Sequence, residues 1–233
     1  MSPITGSNIL VIGGSSGIGA AVAKPAASEG DVQVSIASSN LARVEKTVQR
    51  IQTDVPNAQI KDYTVDVSGG DAESRLEKLF AEVTAGTGRP LDHLVYTAVN
   101  LELIFLQDVT IDFLRGDGQF LVFVPLLIAK VAPPFMTKSY RSSITFSTGR
   151  IAEKPMKGAA VMAGWAAAFP GIMDTEIQGP EEQRKQKMAA AAETALLGKV
   201  GTPEEVAEAY IYLMKDSNNT GTRVSTSGGD LVQ

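Results

Sequence analysis

The chain has 233 residues, 44% of them hydrophobic and 20% charged, with a formal net charge of −5. That is enough apolar material for a sizeable core and too little charge for a disordered chain, and an acidic balance without a basic run argues against nucleic acid as a partner. The absence of cysteine excludes disulfides, thiol nucleophiles and thiolate metal sites and fits a reducing compartment, while the single histidine, His93, leaves little for a zinc site, so no metal is expected.

The chain opens with a β-rich run, Asn8 to Ile12, that ends in glycines. An Ala-rich helix is predicted from Ile18 to Glu29, with a distortion at Pro25, whose ring and missing N–H cost roughly 3 kcal/mol inside a helix. A second strand follows from Val32 to Ala37, then a helix from Leu41 to Thr53 with Leu41, Val44, Val48 and Ile51 at helical spacing. Ile60 to Val67 reads as a third strand, Ala72 to Thr84 as a helix, and Leu91 to Thr97 as a fourth strand. A long apolar helix is expected from Phe113 to Val131 and a fifth strand from Ser143 to Ser147. Pro125, Lys130, Pro133 and Pro134 interrupt the most apolar stretch, Phe120 to Met136, so it does not read as a membrane span. Thr202, Pro203 and Glu205 mark the capped start of a helix running to Lys215, and a last strand is expected near Thr222. The N-terminal residues lack the basic region and long apolar core of a signal peptide, so the expectation is a soluble cytoplasmic protein. Strands and helices alternate, there is no internal repeat, and the reading is an α/β doubly wound parallel sheet in a single domain over 1–233.

Gly13, Gly17 and Gly19, in Gly13-Gly14-Ser15-Ser16-Gly17-Ile18-Gly19, follow a strand and open a helix. Small residues there let the backbone approach a pyrophosphate, and free N–H groups with the helix dipole favour its negative charge. The loop resembles that of the short-chain dehydrogenase/reductase family, Thr-Gly-x-x-x-Gly-Ile-Gly, with Ile12 in place of the threonine. Further segments match in order: Asp66-Val67 resembles the family's Asp-Val at the adenine, and Leu91-Asp92-His93-Leu94-Val95 its fourth strand. Pro170-Gly171-Ile172-Met173-Asp174-Thr175 resembles its Pro-Gly-x-x-x-Thr beside the nicotinamide carboxamide. Gly201 to Ala207, then Thr220-Gly221 and Gly228-Gly229, are similar to its C-terminal signature. The resemblance implies a Rossmann fold and a nicotinamide dinucleotide held by Gly13, Ser15, Ser16, Gly17, Ile18, Gly19, Asp66, Val67, Ala98, Pro170, Gly171 and Thr175. The second strand ends Ser38-Ser39-Asn40 with Arg43 close behind and no carboxylate, which favours NADP over NAD.

The resemblance implies a catalytic Tyr with a Lys four residues later, because hydride transfer to a carbonyl leaves an alkoxide to be protonated. No Tyr-x-x-x-Lys exists: Val67, Asn100, Ile144, Met214 and Asp216 follow the five tyrosines at that spacing. The expected tyrosine position falls near Ala160 or Val161, and the family's helix-four Asn maps near Leu121. The strand-five hydroxyl survives as Ser147 or Thr148, and spacing does not choose between them. His93 reads as structural, Met162 and Trp165 as core at least as readily as cleft, Lys154 and Lys157 as solvated, and Asp174 as an acid or base only if desolvated.

Only Ala166-Ala167-Ala168-Phe169 separate Trp165 from Pro170, where the family has a helix and a sixth strand, so roughly twenty residues are missing relative to it. A helical segment over 176–200, centred on Glu181 to Leu197, is expected to cover the substrate. Gly164-Trp165 after Lys154-Pro155-x-x-Gly158 resembles fungal members with eroded sites that act in alkaloid pathways as reductases guiding a cyclisation. The sequence therefore points to an NADP-dependent reductase of a small organic carbonyl or imine in secondary metabolism. The alternatives are a non-redox cyclase or isomerase and a cofactor-binding pseudoenzyme, and self-association is left open.

Overall fold

A computed structural model describes residues 4–100, 102, 104–147, 161, 181–194, 199–216 and 224. Among them, five parallel strands form one sheet in the order β3-β2-β1-β4-β5: β1 Asn8–Ile12, β2 Gln33–Ser38, β3 Gln59–Thr64, β4 His93–Tyr96 and β5 Ser143–Phe146. Every residue of β1 is buried, as the central strand of a sheet covered on both faces must be. In register, Ile12 faces Ala37 of β2 on one side and Tyr96 of β4 on the other.

Helices α1 Gly17–Ser28 and α2 Leu41–Asp54 pack on one face with the C-terminal helix, while α3 Ala72–Thr87 and α5 Val124–Val131 cover the other. α2 starts at Asn40, whose side-chain oxygen accepts the Arg43 N–H as an N-cap. α1 continues as a helix through Pro25, where the distortion is expected. Proline removes one ladder bond, and the buried side chains of Val22, Ala23, Ala26 and Ala27 hold the helix to the sheet.

The long apolar helix is in three parts: α4 Ile111–Gly118, a π-helical turn Gln119–Phe123, and α5. The π turn is pinned on both sides, by Gln119 Nε2 donating to the Val67 and Gly69 carbonyls and by Tyr96 OH donating to the Phe120 carbonyl at 3.0 Å. β3 is shorter than predicted because the Asp66 carboxylate accepts from both the N–H and hydroxyl of Ser68, turning the chain away. These bonds hold the Asp66 carboxyl below its ordinary range.

α6 Glu181–Thr194 falls inside the expected covering segment, and none of its described side chains is buried. α7 Pro203–Lys215 has the capping box read from the sequence, with Thr202 and Glu205 exchanging bonds. The last strand near Thr222 lies outside the described residues.

His93 is buried in β4 with Nδ1 2.9 Å from Ser143 Oγ, and desolvation lowers its pKa to about 4. The unfolded chain, with an ordinary histidine near 6.5, binds the extra proton first. Stability from this group is therefore full above pH ~6.5 and falls by up to about 3 kcal/mol as pH drops toward 4. His93→Gln should flatten that part of the curve, measured as the urea midpoint at each pH.

Candidate active site

The strand order reverses direction between β1 and β4, and the carboxyl ends of strands at such a switch point form a crevice. Gly13, at the end of β1, has φ +89°, and a Cβ there would stand 2.6 Å from the Ala98 nitrogen and 2.7 Å from Thr97 Oγ1. Gly17 has φ +51°. A Cβ on Gly19 would run into the Gly13 carbonyl oxygen and come 2.6 Å from Thr97 Oγ1. These glycines press the first turn of α1 against β1 and the segment after β4. Ser16 is the N-cap of α1, and its side chain makes no cap bond. The first-turn N–H groups, including those of Gly17 and Ile18, carry no bond to that side chain, as an anion site at a helix N-terminus needs.

The cradle is tied to the end of β2. Ser15 Oγ bonds Ser38 Oγ at 2.9 Å, Thr47 Oγ1 donates to the Ser15 carbonyl at 2.8 Å, and Arg43 Nη2 donates to Ser16 Oγ at 2.9 Å. A guanidinium and the hydroxyls of Ser15, Ser16 and Ser38 thus meet beside the loop, with Ser39 and Asn40 exposed next to them. Asp66 and Val67 lie at the end of β3, and Ala98 follows β4 against Gly13. Thr97 and Thr47, which sequence reasoning passed over, hold the loop in place. Thr97 Oγ1 bonds the carbonyls of Ile12 and Gly13, and the signal was a hydroxyl immediately before Ala98. These features fit a dinucleotide phosphate: a backbone cradle that a side chain would fill, and a cation with hydroxyl donors at its edge.

Toward the reaction side, Ser147 Oγ donates to the Tyr96 carbonyl at 3.1 Å and lies 2.5 Å from Tyr210 OH. Burial pushes the Tyr210 hydroxyl up to about 12, so it stays protonated. Ser147 is half-buried with these two partners; Thr148, Pro170, Gly171 and Thr175 lie outside the described residues, as do Lys154, Lys157, Met162, Trp165 and Asp174. Val161, one of the two positions expected for tyrosine, is helical and buried.

A family model, the SDR-like Rossmann domain, matches residues 2–171. The chain belongs to the short-chain dehydrogenase/reductase family. The short-chain dehydrogenase/reductase ATR9 of Stachybotrys chlorohalonatus is 46% identical over all of this chain and all of its own length. That alignment runs over 254 positions against 233 residues here, so at least 21 positions of the relative have no counterpart, the size of the shortfall expected before Pro170. The solved structure of the MalC reductase/Diels-Alderase from Malbranchea aurantiaca is 29% identical, covers 100% of this chain and 99% of its own, and superposes with a TM-score of 0.90. A short-chain dehydrogenase from Burkholderia cenocepacia J2315, solved in complex with NADP, shares the fold at 21% identity and a TM-score of 0.83, covering 98% of this chain and 99% of its own. Among the described residues no helix is long and apolar enough to cross a membrane and no group of side chains could hold a metal ion.

Proposed function

We propose that this protein is an NADP-dependent reductase of a small organic carbonyl or imine, working in secondary metabolism in the cytoplasm. The observation that carries the cofactor choice is Arg43 bonded to Ser16 beside the Ser15–Ser38 pair, with no carboxylate at the end of β2. A carboxylate would accept from a ribose 2′-OH, whereas a guanidinium with hydroxyls suits a 2′-phosphate. Gly13, Gly17 and Gly19 would admit the pyrophosphate, and Ser15, Ser16, Ser38 and Arg43 would hold the 2′-phosphate end. The bound cofactor would supply a hydride; the chain must place the substrate and provide a proton. The likeness to MalC, a reductase/Diels-Alderase, supports a second reading in which reduction is coupled to ring closure on the same scaffold.

Arg43→Ala is expected to weaken NADPH binding by about 10- to 100-fold, the worth of one charge-assisted contact, while NADH binding stays within about two-fold. Isothermal titration of both nucleotides against both proteins measures this. Equal or tighter NADH binding by the unaltered protein would reverse the assignment.

A further inference from the structure

α4 carries a carboxylate that no described group answers. Asp117 is 5% exposed, and neither of its oxygens has a hydrogen-bond partner. It begins the buried stripe Asp117, Leu121, Val124, Ile128 and Val131 along the sheet-facing side of the helix. The next turn is pinned level with the carboxyl ends of β3 and β4 through Gln119 to Val67 and Gly69 and through Phe120 to Tyr96. Asp117, one turn toward the helix N-terminus, lies beyond those strand ends, at the carboxyl edge of the sheet where the phosphate loop also sits, but on the opposite face from α1. It also shares a face with Leu121, where the family's relay Asn maps. The family's acid is missing here: Val161 is apolar and no tyrosine has a lysine at the required spacing, which leaves the strand-five hydroxyl of Ser147 or Thr148 without that partner.

A buried carboxyl without a cation or donor is pushed toward its protonated form, and a neutral carboxylic acid is a donor in want of an acceptor. Burial pushes Asp117 up to about 6, and Glu102, on the segment after β4, adds to the rise. Of the other charges on its own helix and on α3, Asp112 pairs with Arg115, Asp71 with Arg75, Lys78 with Glu82 and Glu73 with Lys130 of α5, while Glu77 is exposed.

We propose that Asp117 is the proton donor of the reduction, passing its carboxyl proton to the carbonyl oxygen of the substrate. The inference rests on the reductase reading above. As hydride adds to the carbonyl carbon, the π pair moves to oxygen and a new O–H bond forms while the Asp117 O–H bond breaks. The products are the alcohol, the oxidised nicotinamide and an Asp117 carboxylate that regains its proton from solvent. An iminium substrate needs no such proton, since hydride addition already gives a neutral amine.

The test compares a ketone with a matched cyclic iminium at saturating NADPH, in the unaltered protein and in Asp117→Asn and Asp117→Glu. Asp117→Asn should bind NADPH normally, lose about 10²- to 10⁴-fold in ketone kcat and lose at most a few-fold on the iminium. Asp117→Glu should recover part of the ketone rate. Ketone kcat of the unaltered protein should fall as pH rises past the ionisation of Asp117, and that slope should vanish in Asp117→Asn. A readout free of turnover is the melting temperature: Asp117→Asn should gain on the unaltered protein as pH rises from 4 to 8, because only the latter must keep a carboxyl desolvated. Taking the difference between variants removes the opposite contribution of His93. Ketone turnover at the unaltered rate in Asp117→Asn, equal losses on both substrates, or parallel melting curves would each overturn the proposal. If the unaltered protein binds NADPH but reduces neither substrate, the reductase reading falls, and the acid with it.

Discussion

Gly19→Ala should reduce NADPH affinity by about a hundred-fold or more, equivalent to roughly 2.7 kcal/mol. The added Cβ would meet the Gly13 carbonyl oxygen and, at 2.6 Å, Thr97 Oγ1. The carbonyl is main chain in the phosphate loop itself, so it cannot swing aside as a long side chain can. Relief requires the start of α1 to move off β1, which opens the cradle and withdraws the first-turn N–H groups. Crowding of this kind also destabilises by about 1–3 kcal/mol, so calorimetric titration should be paired with a thermal melt. Gly17→Val should act differently, by straining a residue at φ +51° rather than by collision, and should leave a folded protein with impaired binding. Wild-type affinity in Gly19→Ala would mean that the nucleotide does not depend on this close approach.

Phe80→Ala should destabilise the chain by about 3–5 kcal/mol. Phe80 is wholly buried on α3, with its ring centroid 5.8 Å from that of Phe135, and it belongs to the cluster that joins Leu76, Leu79 and Val83 of α3 to Val124, Ile128 and Val131 of α5. The sheet and two helices fix the walls of this space, so the void left by the ring can collapse only in part. A lower urea midpoint with an unchanged slope is the expected result. NADPH affinity of the folded fraction should stay within a few-fold, because the phosphate loop belongs to the opposite end of β1 and to α1. A loss below about 1 kcal/mol would show that the site relaxes far more than close packing allows.

The strand, turn and helix around the phosphate loop were legible because each is a local device: a fully apolar run for a strand buried on both faces, then glycines, then an Ala-rich helix. The Thr202–Glu205 capping box was legible for the same reason, since its partners lie three residues apart. The π turn was not. Gln119 is about fifty residues from the carbonyls it binds, and Tyr96 lies 24 residues from Phe120, so nothing in the local apolar pattern announced that the helix changes pitch there. Asp117 was passed over because a lone aspartate between two glycines reads as a surface break in an apolar helix. Its burial depends on the helix lying against the sheet.

By itself, the sequence determined the family, the alternating α/β plan, the positions of the phosphate loop and of the β2 end, and the lack of a Tyr-x-x-x-Lys pair, all of which rest on residue identity and short-range spacing. Only the tertiary structure decided which side chains meet. Ser15 joins Ser38 across 23 residues, Arg43 reaches Ser16 across 27, and Ser147 meets Tyr210 across 63. The physical reason is that hydrogen bonding and desolvation act through space. Whether a hydroxyl is paired or a carboxyl keeps its proton depends on what the fold packs around it.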